Sequence, residues 1–197
     1  DHGKMFRSNE IGVQNSIDPS LLQYEGRNYL VWGSFRGIYV IELTADGLSI
    51  MSGAKKKRIA GTAFEAVYIH KHGDYYYMFA SIGSCCQGVK STYKVVVGRS
   101  KKVWGPYKDK TGKPMLKNGY SLVIGANDHF VGNGHGSQII QDDAGQDWLL
   151  YHGFSRSTPE NGRILLLDQI KWDQEGWPYV EGGSPSYETQ KAPVFNN

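Results

Sequence analysis

The sequence predicts an all-β chain, and three observations predict it. Three stretches share one pattern of short strand, polar glycine-bearing turn and aromatic-rich strand. The 197 residues include 25 glycines and 13% aromatics, a composition that suits short strands and tight turns. No stretch carries a convincing amphipathic helical period.

The first of the three stretches pairs residues 17–22 with 28–34 across the turn Tyr24-Glu25-Gly26-Arg27. The second pairs residues 64–69 with 74–81 across Lys71-His72-Gly73, and the third pairs 134–140 with 146–152 across Asp142-Asp143-Ala144-Gly145. Each reads as a β-hairpin. Further strand-like sequence follows each hairpin, at residues 38–43, 93–98 and 164–168. Units of roughly 45–70 residues with up to four strands each are the sequence signature of β-propeller blades. The segments 51–62 and 108–132, polar and rich in Gly, Lys and Asn, read as linkers between units.

Composition narrows the function. The chain is long enough for one sizeable core. No run approaches the ~20 apolar residues of a membrane span. Net charge is +3, and the one basic run, Lys55-Lys56-Lys57-Arg58, lies in a predicted linker and reads as a solvated loop. A nucleic-acid face needs many clustered cations, so neither nucleic acid nor membrane is an expected partner. The two cysteines, Cys85 and Cys86, are adjacent. One such pair is no disulfide framework and has too few partners for a zinc site.

Asp18, Glu65 and His135 occupy the same place in the three repeats, at the start of the first strand. The first strand of a propeller blade lines the central channel, so equivalent positions of successive blades converge. Two carboxylates and an imidazole would then share one polar pocket. Taken singly, each residue has a plainer reading. Asp18 before Pro19 suits a turn, Glu65 suits a solvated strand, and His135 between glycines suits a core histidine. Their shared register favours a site.

Asn15-Ser16-Ile17-Asp18-Pro19-Ser20, with Gly33-Ser34-Phe35 behind it, resembles the third blade of a family 43 glycoside hydrolase. Phe64-Glu65-Ala66 with Tyr75-Tyr76-Tyr77 resembles the fourth, and Gly134-His135-Gly136-Ser137 the fifth. Ser81-Ile82-Gly83-Ser84-Cys85-Cys86-Gln87-Gly88, continuing to Ser91-Thr92-Tyr93, is similar to the arabinanase branch, where a paired-cysteine loop sits beside the substrate groove. The resemblance implies a five-bladed β-propeller of which this chain supplies about three blades, third to fifth. It implies residues 1–14 as the end of the second blade, then blades over 15–58, 59–125 and 126–197. The implied activity is inverting, endo-acting hydrolysis of α-1,5-L-arabinan, a cell-wall polymer, hence a secreted or periplasmic protein.

Carried over by motif, Glu65 is the expected general acid, and Asp18 the third carboxylate that tunes and holds it. A second negative charge in a shared pocket favours the protonated form of an acid. His135 matches a central histidine associated with calcium, which prefers oxygen ligands, so water would supply most of the shell. Expected substrate contacts are Asn15, Ser34, Phe35, Cys85, Cys86 and Tyr93. Sugars call for amides, hydroxyls and aromatic faces, although Phe35 and Tyr93 also read as core. The two cysteines have no activating partner beside them for a nucleophilic role. The family's general base, an aspartate of the first blade, would precede Asp1. Three blades leave open β edges, so an N-terminal fragment is the expected partner and this piece alone is expected to be inactive. Exo-acting arabinofuranosidase or β-xylosidase action, and a non-catalytic carbohydrate-binding propeller, are the alternatives. A WD or kelch propeller is disfavoured, since no Gly-His…Trp-Asp spacing recurs.

Overall fold

The computed structural model describes residues 2–196. It is all-β: among these residues the only α-helix is the four-residue Ser8–Ile11, and the remaining helices are single 3₁₀ turns. Among the described residues no helix is long and apolar enough to cross a membrane. The strands form three successive antiparallel meanders. The first is β1 (Ser20–Tyr24), β2 (Arg27–Trp32), β3 (Ile38–Glu42) and β4 (Lys57–Ala60). The second is β5 (Glu65–His72), β6 (Tyr75–Ile82), β7 (Lys94–Ser100) and β8 (Ser121–Ile124), in that order across the sheet. The third contains β9 (Phe130–Gly134), β10 (Ile140–Gln141), β11 (Asp147–Ser155), β12 (Arg163–Trp172) and β13 (Pro178–Tyr179).

The predicted hairpins form, with shifted edges. Glu25 and Gly26, at φ 49° and 72°, make the two-residue turn joining β1 to β2. Both central residues of such a turn need positive φ, because this twist matches that of the flanking strands. Residues 17–19, expected in the first strand, lie ahead of β1. Both expected linkers are wrong in part: each contains the last strand of its meander, β4 within 51–62 and β8 within 108–132. These edge strands are short and polar at one end, so their pattern does not differ from a loop's. Lys57 and Arg58 of the basic run accordingly belong to β4.

The chain forms two compact units: residues up to Phe79 with Gly98–Tyr120, and Ala80–Val97 with residues from Ser121 onward. In the first unit Val13, Trp32 and Ile41 form a buried cluster, with Phe6, Ile11, Leu30 and Tyr39 packed around it. Trp32 satisfies its indole N–H on Ser16 Oγ at 3.2 Å. In the second, Trp148, Leu149, Tyr151 and Ile170 are buried along β11 and β12. There the turn after β10 is organised by Asp142, whose carboxylate accepts N–H groups from Ala144, Gln146, Trp148 and Val194 at 2.8–3.1 Å. Burial raises the Asp142 pKa, and these donors outweigh it, leaving the carboxyl below its ordinary value.

Candidate functional site

Asp18 and Glu65, 47 positions apart in the chain, meet in the first unit through a backbone group. Asp18 is half-buried ahead of β1, and its Oδ2 accepts the Ala66 N–H at 3.0 Å. Glu65 opens β5 and is buried, 7% exposed. Its Oε2 accepts the Ser34 hydroxyl at 2.7 Å, and Ser34 is buried at 1%. Asn15 in turn donates its side-chain amide to the Ser34 carbonyl at 3.1 Å. The segment between β2 and β3 is thus stitched on both sides: Gly33 N–H to Ile17 O, and Phe35 N–H to Phe64 O.

This geometry requires an unusual backbone. Seven non-glycine residues among those described have positive φ. Glu25 is explained by its hairpin turn, and Asn118 by ending a 3₁₀ turn. The other five are Asn15, Asp18, Phe35, Ala66 and His135, each a predicted site residue or the neighbour of one. Such backbone costs roughly 1–3 kcal/mol per residue and persists where its surroundings over-determine it, as functional sites do. At Ala66 the consequence is visible, since the turned peptide aims its N–H at Asp18.

In the second unit His135 lies in the break between β9 and β10. The third repeat was expected to have one continuous first strand over 134–140. Instead β11 pairs with β9 at one end and β10 at the other, and residues 135–139 are irregular. The imidazole is exposed, not core, and the His135 N–H is fixed on the buried Ser81 Oγ at 2.8 Å. Beside it, Gly134 allows close approach: a Cβ there would stand 2.3 Å from the Tyr93 ring. Tyr93 is 1% exposed, which corrects its expected place as a sugar-facing ring. It is a packing residue, stacked on His152 with centroids 5.7 Å apart. Ser34 is corrected similarly: its hydroxyl is committed to Glu65.

Sequence reasoning missed Ser81 and His152. His152 sits on β11 opposite Gly134, its ring 6.3 Å from that of His135. Burial, then the Arg163 charge, then His135 lower its pKa from 6.5 to about 4, so it is neutral near pH 7. Its Nδ1 is buried without a hydrogen-bond partner among the described residues. Only the β9–β11 register reveals this neighbour, and no sequence spacing encodes it.

The adjacent cysteines are bonded to each other, S–S 2.10 Å, and no free cysteine remains among the described residues. Cys85 is half-buried and Cys86 exposed. As to calcium, His135 belongs to no group of three close His, Cys, Asp or Glu ligands among the described residues. It offers one imidazole nitrogen to an ion that prefers oxygen. These residues do not fit a protein-built calcium cage.

A family model described as glycosyl hydrolases family 43 matches residues 1–178. The chain is 40% identical over 183 residues to the extracellular exo-alpha-(1->5)-L-arabinofuranosidase ArbA of Cellvibrio japonicus (strain Ueda107), covering 85% of this chain and 52% of that protein. It is 36% identical over 185 residues to the extracellular endo-alpha-(1->5)-L-arabinanase 1 of Bacillus subtilis (strain 168), covering 90% and 54%. A solved structure of Cellvibrio cellulosa alpha-L-arabinanase complexed with arabinohexaose is similar at TM-score 0.78 and 36% identity, over 85% of this chain and 57% of that one. The chain spans about half the length of the curated relatives it matches.

Proposed function

The chain belongs to family 43 of the glycosyl hydrolases, and from that premise we propose that it carries the acid half of an inverting, endo-acting site for α-1,5-L-arabinan. Its three meanders are blades of the family's five-bladed β-propeller. The observation that carries the proposal is the buried Glu65, opening β5 beside the positive-φ Ala66 and bonded to Ser34, with Asp18 tied to the Ala66 peptide.

In this reading protonated Glu65 gives its proton to the glycosidic oxygen as the C–O bond breaks. A water adds to the anomeric carbon from the opposite face and yields its proton to a second carboxylate. An inverting pair stands roughly 6.5–9.5 Å apart to admit that water. Asp18 is a positioning residue acting through Ala66, and Ser34 fixes the rotamer of Glu65. Asn15, Phe35 and the Cys85–Cys86 tip are the proposed sugar contacts.

The general base is assigned to an N-terminal segment of the same protein. Exposed apolar side chains support such a partner: Ile17 and Leu21 in the first unit, 47% and 52% exposed, and Leu165 in the second at 73%. A secreted or periplasmic location is supported by the polymeric substrate of this reading and by the relatives' extracellular names. A calcium ion at His135 would be held chiefly by water. Calcium added to chelator-treated protein should raise the melting temperature, and His135→Ala should remove that rise. Equal rises in both proteins would sink this assignment.

Glu65→Ala decides the main claim. General-acid loss should lower kcat on linear arabinan by about 10²–10⁴-fold while arabinohexaose still binds, by calorimetry. Unchanged kcat would overturn the assignment, and turnover by the 197-residue chain alone would overturn the shared site. Exo action is the second reading, favoured by the similarity to ArbA. Endo action gives an oligosaccharide ladder at early times, whereas exo action gives a single short product from the start.

A further inference from the structure

Positive charge is concentrated in one stretch of the first unit. Residues 98–120 carry seven of the chain's 22 lysines and arginines against one acid, whereas the whole chain has a net charge of only +3. Lys101, Lys102, Lys108, Lys110 and Lys113 are exposed. The one acid, Asp109, is buried, and its Oδ1 accepts the Thr111 hydroxyl and the N–H groups of Thr111 and Lys113 at 2.7–2.9 Å. It organises a turn.

The stretch is a folded scaffold that holds its cations in place. Val103, Tyr107 and Met115 are buried within it. Tyr107 donates its hydroxyl to Val103 O, and Met115 N–H reaches Tyr107 O at 2.8 Å. Gly98 lets the two limbs close, since a Cβ there would stand 2.6 Å from Met115 Sδ. Arg99 and Lys108 exchange both backbone hydrogen bonds, at 2.8 and 2.9 Å, directly opposite each other in an antiparallel bridge. Side chains so placed stand side by side, and like charges there repel. Arg99 Cζ and Lys101 Nζ also lie over the same ring, 4.3 and 5.6 Å from the centroid of Tyr75. Backbone pairing and one ring thus gather three cations, and an anion among them would relieve their repulsion.

We propose that Arg99, Lys101 and Lys108 form a second binding site, for a polysaccharide that bears carboxylates. Guanidinium and ammonium groups give a carboxylate charge-assisted hydrogen bonds, which are stronger than neutral ones. The rings beside the cations are already engaged, Tyr75 by Arg99 and Trp104 by Tyr29 at 4.6 Å between centroids. A single-stranded nucleic acid needs open rings on which bases stack, so this surface reads charge. The choice of a glycan among polyanions rests on the arabinan reading above. Tyr75 opens β6 at the far end of the hairpin from Glu65, which opens β5. The length of β5 puts about 23 Å between them. A chain held at the cations therefore leaves the acid free and raises the local concentration of the protein on its polymer.

The test titrates the full-length protein with polygalacturonate at low salt, by calorimetry, beside two double variants. Lys101→Gln/Lys108→Gln should weaken binding about tenfold. Lys101→Arg/Lys108→Arg, which keeps both charges, should bind as the parent does. Raising NaCl from about 0.05 to 0.5 M should weaken the parent's binding, because exposed charges are screened. All three proteins should turn over linear arabinan with the same kcat and KM. Unchanged polygalacturonate affinity in the glutamine variant overturns the site, and so does binding that ignores salt. Equal affinity for a single-stranded DNA or for phosphatidylserine vesicles overturns the choice of a glycan. Polygalacturonate binding that the glutamine variant loses, with no arabinan turnover from any of the three proteins, overturns the arabinan reading and upholds the site.

Discussion

Ala66 shows how much a single residue contributes to this site. It has φ 50° where glycine would be unstrained, and that turn directs its N–H to Asp18. The left-handed conformation costs a non-glycine residue roughly 1–2 kcal/mol, and glycine's greater freedom in the unfolded chain takes back roughly 0.5–1 kcal/mol. Ala66→Gly should therefore leave stability unchanged or raise it by up to about 1.5 kcal/mol in urea denaturation. A loss above about 1 kcal/mol would show that the methyl group, not the turned peptide, is what the site uses. At this scale the sequence was legible for side-chain types. Asp18, Glu65 and His135 stand out because they interrupt otherwise regular hairpin starts. Their backbone conformations were not legible, because φ at Asp18 or Ala66 is imposed by hydrogen bonds from distant segments.

At the scale of elements, β11 carries the clearest consequence. It holds His152 half-buried against Tyr93 and His135, with a pKa near 4 in place of 6.5. The folded chain thus keeps this imidazole neutral, while the unfolded chain protonates it near pH 6.5. Between those values the unfolded state binds the extra proton, so stability should fall as pH is lowered from about 6.5 towards 4. His152→Gln should reduce that slope in urea midpoints measured across the window. An unchanged slope would mean that other groups set the acid sensitivity. Hairpins were readable from Glu25-Gly26 and from Asp142 with Gly145, because turn chemistry is local. The outer strands β4 and β8 were not. A four-residue edge strand such as Lys57–Ala60, two of whose residues face water, has no alternation that separates it from a loop.

For the whole molecule, the repeat of three meanders places the proposed polar residues at first strands: Asp18 lies just ahead of β1 and Glu65 heads β5, whereas His135 follows the end of β9. The exposed Leu165 and Leu167 alternate along β12, a stripe of the kind that sheet packing normally covers. That pattern agrees with a chain spanning about half the length of its relatives.

The sequence by itself determined the all-β class, the three-fold repeat and the residues that interrupt it, because strand alternation, turn chemistry and odd polar residues are local properties. Only the tertiary structure decided what those residues do to one another. It gave Ser34 to Glu65, placed Ala66 under Asp18, buried Tyr93, set His152 beside His135 and bonded Cys85 to Cys86. Each of these depends on the register and approach of distant segments, which the packing of the folded chain settles.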